Sequence, residues 1–225
     1  MYHTWQGDPK QYYTVSLVGD RHFKGFILDG GSDIIVLYNG ENFIYIPVNH
    51  IEYIVTDTPD ADFIEPSNDS STPFNFLQKD LTLDGILNEA KGIYQELYIN
   101  KKCLHGTILE VLDDYIVFYS PIYKKIYIDK KHLKWLIPHM PNERPYDLSE
   151  VEFNWQPVEK GFKENFVQQI TALTNKLVVL NFGEKIHHIG KIKSISNAML
   201  ELKIAKDKSI YVNIAHIQTI HEVEV

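Results

Sequence analysis

One ten-residue phrase occurs three times in this chain of 225 residues. It reads YIPVNHIEYI from Tyr45, YIDKKHLKWL from Tyr127 and YVNIAHIQTI from Tyr211, at spacings of 82 and 84 residues. In each copy a branched apolar residue follows the Tyr, and a His stands five places after it. Apolar residues come directly after the His and three places further on. Self-similarity at a fixed long period marks a chain built from copies of one module, and it limits the fold more than any composition does. The match extends upstream. Gly25, Gly106 and Gly190 precede the three histidines by 25 or 26 residues and head the runs GFILDG, GTILEV and GKIKSI. Seven or eight places after each Gly comes Asp33, Asp114 or Asn197, followed by the apolar runs IIVLY, YIVFY and MLELKI. Asp and Asn favour turns, because their side chains bond to nearby backbone. Asn39-Gly40 is a hairpin signal.

Each copy therefore reads as five short strands in about 50 residues, the pattern of a small, strongly bent barrel. The first strands are YYTVSLV, YQELYI and KLVVLNF. The recurring Gly is expected to open the second strand at a sharp bend where no Cβ fits. Copies two and three carry a helical preface. Leu83, Ile86, Leu87, Ala90 and Tyr94 share one helical face, with Thr82 or Asp80 as cap; Phe162, Phe166, Ile170 and Leu173 share another. Gly7 and Pro9 break the corresponding segment of the first copy. The expected organisation is repeat 1 over 1–56 without a helix, an acidic linker over 57–78, repeat 2 over 79–138, a Pro-rich linker over 139–159 and repeat 3 over 160–225. Abundant Tyr and scarce Ala agree with mainly β structure.

Charge is uneven. The chain carries net −8, but residues 1–78 hold 3 basic and 11 acidic side chains, and residues 160–225 hold 9 and 6. An acidic first third and a basic last third can pair between chains. The overall balance argues against nucleic acid, whose binding draws on Lys and Arg. A single cysteine, Cys103, excludes an intrachain disulfide framework. No basic start followed by an apolar core stands at the N-terminus, and no apolar run is long enough to span a bilayer. The expectation is synthesis in the cytoplasm and no membrane partner.

A preface helix, five bent strands, a Gly leading strand two and an Asp before strand three resemble the Sm-like (SH3-like) small-barrel fold. The tandem arrangement resembles the spore coat protein B type of endospore-forming bacteria, whose Sm-like repeats are a domain of formerly unknown function. DDYIVF (113–118) and the closing HIEYI, HLKWL and HIQTI match that pattern, and NFGEKIHHIGKI (181–192) matches its hairpin loop. The likeness covers roughly 10–54, 80–137 and 162–221. No copy has the Gly-Gly-Pro-Glu loop common in that family, the second loop (INKKCLHG) is shorter, and the Ser- and Lys-rich tail has no counterpart, so nothing of that tail carries over. The resemblance implies three tandem five-stranded barrels in a non-enzymatic structural protein of the spore coat, made in the mother cell. Such a protein would associate with itself or with other coat proteins through barrel edge strands. A dimer would make a six-barrel pseudo-ring.

The candidate residues have two readings each. Gly25, Gly106, Gly190, Tyr45, Tyr127, Tyr211, His50, His132 and His216 define the repeat. The histidines read as braces of a tight turn; the alternative is a recurring metal or RNA contact. In RNA-binding bacterial Sm-like proteins a Tyr-x-x-His or Lys-His pair sits near this junction, and a Lys directly precedes only His132, as Lys131. The alternative RNA contacts are Lys101, Lys102, Lys124, Lys125, Tyr127 and Lys131, in a basic stretch interleaved with Tyr119, Tyr123 and Trp135, as single-stranded nucleic acid uses. Lysines on edge strands equally block unwanted pairing. His187 and His188 point to opposite faces if the segment is extended and chelate poorly. Cys103 and His105 lack an orienting third group. Gly30-Gly31 lacks the Gly-Lys-Ser/Thr of a phosphate loop. No cofactor is expected.

Overall fold

Alternating apolar runs separated by turn residues become strands. The structure, a computed structural model, describes residues 8, 10–59, 63–64, 74, 81–99, 101–139, 145–148, 161–205 and 208–223. Among them are fifteen strands, two short α-helices and several 3-10 turns, so the chain is mainly β, and the strand pairings are antiparallel. Repeat 1 gives β1 (Tyr12–Leu17), β2 (Arg21–Gly30), β3 (Ile34–Tyr38), β4 (Phe43–Pro47) and β5 (Ile51–Thr56). Repeat 2 gives α1 (Leu83–Glu89), β6 (Tyr94–Ile99), β7 (Lys102–Val111), β8 (Tyr115–Ser120), β9 (Lys124–Asp129) and β10 (Leu133–Pro138). Repeat 3 gives α2 (Phe166–Ala172), β11 (Leu177–Leu180), β12 (Ile189–Ser196), β13 (Met199–Ile204), β14 (Lys208–Asn213) and β15 (Thr219–Glu222).

The helices fall where the apolar spacing put them, but shorter. Thr82 caps α1 by accepting from the Gly85 amide at 3.1 Å, and Asn165 caps α2 by accepting from Gln168 at 3.0 Å. Tyr94 and Phe162, assigned to the helical faces by spacing, lie outside them: Tyr94 opens β6, and Phe162 precedes α2. Most of both linkers, Gly7, Pro9, Asp80, Lys206 and Asp207 lie outside the described residues.

The chain divides into two compact units that cut across the repeats: Met1–Tyr98 with Lys134–Glu143, and Ile99–Leu133 with Arg144–Val225. The first unit orders its strands β6-β10-β4-β3-β2-β1-β5. Its core joins Val15, Leu17, Leu37, Ile44 and Ile46 to Tyr98 and Trp135, whose rings stack at 3.7 Å. The second orders its strands β14-β13-β12-β11-β15-β9-β8-β7. There Phe166, Ile170 and Leu173 of α2 and its C-cap pack with Tyr115, Val117 and Tyr127 and with Val178, Leu200 and Ile220. Each fully buried aliphatic side chain contributes about 1.5–3 kcal/mol relative to exposure.

The recurring Gly sits inside the second strand, not at its start. In repeat 1, residues 21–26 of β2 pair with β1 and residues 26–30 pair with β3. Gly25 stands at the handover. A Cβ there would lie 2.0 Å from the Tyr38 carbonyl oxygen, at Gly106 2.0 Å from that of Tyr119, and at Gly190 2.5 Å from that of Lys203. No side chain fits where three strands converge on one bend. The register then shifts in the same place in each copy, between Ile27 and Asp29, Ile108 and Glu110, and Ile192 and Ser194. A bulge at that position deepens the bend.

Candidate functional site

The ten-residue phrase folds as the fourth strand, a 3-10 turn and the fifth strand. The turns are Val48–His50, Lys130–His132 and Ile214–His216. Each closes with a backbone bond, from Ile51 to Val48, Leu133 to Lys130 and Ile217 to Ile214. The third residue of the phrase prepares the turn. Pro47 starts it in repeat 1, Asp129 accepts from the Lys131 amide, and Asn213 accepts from the Ala215 amide, both at 3.0 Å. The side-chain bracing expected of the histidine thus belongs to another residue of the phrase in repeats 2 and 3. His132 instead lies beside the Ala215 backbone, in the turn of repeat 3. Burial holds its pKa below the ordinary histidine value. His50 is half-buried and His216 is exposed.

Neighbouring repeats join through these strands. Tyr45 of β4 pairs with Leu136 of β10. Tyr127 of β9 pairs with Ile220 of β15, and Ile128 with Thr219. In both joints the first residue of one phrase stands opposite the tenth residue of the next. The phrase thus contains both halves of a joint, which explains why a chain would repeat it. Tyr45 and Tyr127 are 0% and 4% exposed. Tyr45 packs on the Phe74 ring at 5.0 Å, and burial raises its pKa.

A second tie runs in the same direction. Asp33 Oδ1 accepts from the Leu83 amide, the first of α1, at 2.8 Å, and Asp114 Oδ1 accepts from the Phe166 amide, the first of α2, at 2.7 Å. The acidic residue before strand three therefore caps the helix of the following repeat, a role that a turn reading of Asp33 and Asp114 misses. A signal for it exists in the sequence: the residue is Asp in the two repeats followed by a helix and Asn197 in the third. Tyr115 adds a bond from its hydroxyl to the Lys163 carbonyl at 2.6 Å.

The terminal copies lack such neighbours among the described residues. Strand β14 ends one strand order and β5 the other. Tyr211, the counterpart of Tyr45 and Tyr127, is 66% exposed. Tyr53, the counterpart of buried Trp135 and Thr219, is 54% exposed.

The basic-aromatic stretch is less open than its sequence. Tyr127 is buried, and Lys131 pairs with Asp129 at 2.6 Å. Lys102 lies over the Phe182 ring, 5.3 Å from its centre; Lys101 occupies a turn and Lys124 opens β9, with φ of 64° and 57°. Lys125 is half-buried on β9. His187 and His188 meet edge to face, and Cys103 is exposed. Among the described residues no group of three His, Cys, Asp or Glu could hold a metal ion, and no helix is long and apolar enough to cross a membrane.

Two comparisons place the chain. A family model described as the YwrJ third domain matches residues 165–220, from the cap of α2 into β15. The uncharacterized protein YwrJ of Bacillus subtilis (strain 168) is 32% identical over 213 residues, which cover 92% of this chain and 93% of the relative. The chain belongs to the YwrJ family.

Proposed function

We propose that this chain is a non-enzymatic structural protein of the bacterial spore coat, built from three Sm-like barrels and working by strand-edge association with itself or with other coat proteins. The observation that carries this reading is the repeated joint. Two internal junctions use the fourth strand of one repeat and the fifth strand of the next, in one register. Among the described residues the same kind of edge is left at β5 and β14. An unpaired strand edge is a row of backbone donors and acceptors that recruits another strand. The spore-coat assignment draws on the motif likeness in the sequence. The buried ring of Tyr127 and the ion-paired Lys131 favour assembly over RNA binding, since stacking needs open rings.

A fluorescent fusion followed through sporulation tests the reading. Signal gathering on the forming spore surface is the expected result. Signal that stays diffuse, together with salt-sensitive binding of the purified chain to uridine-rich or adenine-rich RNA, would replace it with the nucleic-acid alternative.

A further inference from the structure

We propose that copies of this chain join head to tail, β14 of one copy pairing with β5 of the next in the register of the internal joints, with Tyr211 opposite Ile54 and Val212 opposite Tyr53. The inference rests on the strand-edge reading above and adds the occupant, the polarity and the register. Three features of the molecule support it.

The first is the pairing rule. First residue opposite tenth holds for Tyr45 with Leu136 and for Tyr127 with Ile220, and second opposite ninth holds for Ile128 with Thr219. Applied to the third phrase and then the first, the rule sets Tyr211 against Ile54 and Val212 against Tyr53. One step further it sets Ile210 against Val55. These strands carry apolar side chains left open to water: Tyr211 at 66%, Tyr53 at 54% and Val55 at 49% exposure. A lone exposed aromatic is ordinary, but these three stand on the two edge strands.

Charge supplies the second. The first third of the chain is acidic and the last third mildly basic, so a head-to-tail contact brings unlike charge together, and the edge strands themselves carry Glu52 on β5 and Lys208 on β14. The register also brings Lys208, the first residue of β14, opposite Asp57, directly after β5.

The turn histidine is the third. His132 lies beside the backbone of the fifth residue in the next phrase, Ala215. The counterpart for exposed His216 is Asn49 of the next copy. A contact of this polarity is heterologous, and each copy added leaves the same two edges open or closes a ring.

Cysteine trapping tests it in full-length chains carrying Cys103→Ser. One preparation carries Tyr211→Cys, a second Ile54→Cys and a third Val212→Cys, each checked for folding by circular dichroism. Directly opposed strand residues lie within disulfide reach. Mild oxidation of the Tyr211→Cys and Ile54→Cys mixture is expected to give a species of twice the chain mass. Either preparation alone should give none, and the Val212→Cys and Ile54→Cys mixture about tenfold less, since those side chains fall on opposite faces. Covalent dimers from Tyr211→Cys alone would mean that like edges pair, which overturns the proposal. Light scattering on the unsubstituted chain separates the remaining outcomes. Association without trapping in the first mixture overturns the register and leaves edge association standing. A strict monomer at high concentration with no trapped species overturns both.

Discussion

Tyr127 and Tyr211 open the same ten-residue phrase, yet one is buried and the other stands in water. Both lie on fourth strands, at the edge where a following repeat would add its fifth strand. At Tyr127 that strand is present, as β15. At Tyr211 it is not, among the described residues. The environment of a repeat residue is thus set by its neighbour as much as by its own strand, as in other tandem-repeat proteins. The same residue type should therefore carry different energies in the two places.

Truncation gives the largest separation. Tyr127→Ala removes a buried ring packed near Tyr115 and Phe162 and should cost about 3–5 kcal/mol. Tyr211→Ala should cost no more than about 0.5 kcal/mol in the dilute chain. Urea unfolding followed by fluorescence measures both. Equal losses would mean that Tyr211 is already covered in the single chain, and the contrast between joint and end would fail.

The bend glycines separate the same two places next. Gly106→Ala pushes a methyl to 2.0 Å from the Tyr119 carbonyl oxygen, and that strand is flanked by β9, itself held by β15. The expected loss is about 3 kcal/mol or more. Gly190→Ala meets the Lys203 carbonyl at 2.5 Å on β13, whose outer neighbour β14 is an edge strand and can give way. Its loss should be smaller on the same urea titration. A larger loss at Gly190 would show that the edge is not the softer region.

Below these comes the capping aspartate. Asp114→Ala strips the acceptor from the first amide of α2 and should cost about 1 kcal/mol. Asn197→Ala, at the matching position with no following α-helix among the described residues, should change the urea midpoint little. A comparable loss at Asn197 would show that the carboxylate serves its own turn, not the next helix.

Much of this was legible in the sequence. The repeats, the strand runs and the Thr82 cap follow from spacing and turn chemistry. So does the Asn39 turn, whose Oδ1 accepts from the Glu41 and Asn42 amides. Side-chain alternation reports which face a residue takes, however, and not which strand lies beside it. The β4–β10 and β9–β15 joints therefore could not be read from the period, nor could the burial of Tyr45 against the exposure of Tyr211. The Gly25 position was misplaced by four residues, because Arg21, His22 and Lys24 hide a strand that is held by β1 on one side. The division into two units, with repeat 2 shared between them, has no local signal, since it depends on contacts far apart in the chain.

The smallest effect separates the two units by pH. In the second unit His132, His188 and His221 are all held below the ordinary histidine value, each chiefly by burial. A histidine whose folded pKa lies below its unfolded value, about 6.5, binds its proton more readily when the chain unfolds. Its contribution is therefore complete above about pH 6.5 and is lost as pH falls below that value. In the first unit Asp57 is pushed down to about 2, first by the hydrogen bond from Thr14 at 2.6 Å and then by Thr58 and Lys24. Its contribution holds above the unfolded carboxylate value, near pH 4, and is lost only as pH falls toward 2. Between pH 7.5 and pH 5 the second unit should loosen while the Asp57 tie stays intact. Hydrogen exchange read by mass spectrometry, corrected for intrinsic rates, should show protection falling in β11, β12 and β15 before β1 and β5. His132→Gln should reduce that fall without abolishing it, because His188 and His221 still titrate. Equal loss across both units, or no change on removing His132, would mean that the buried histidines do not govern the acid response.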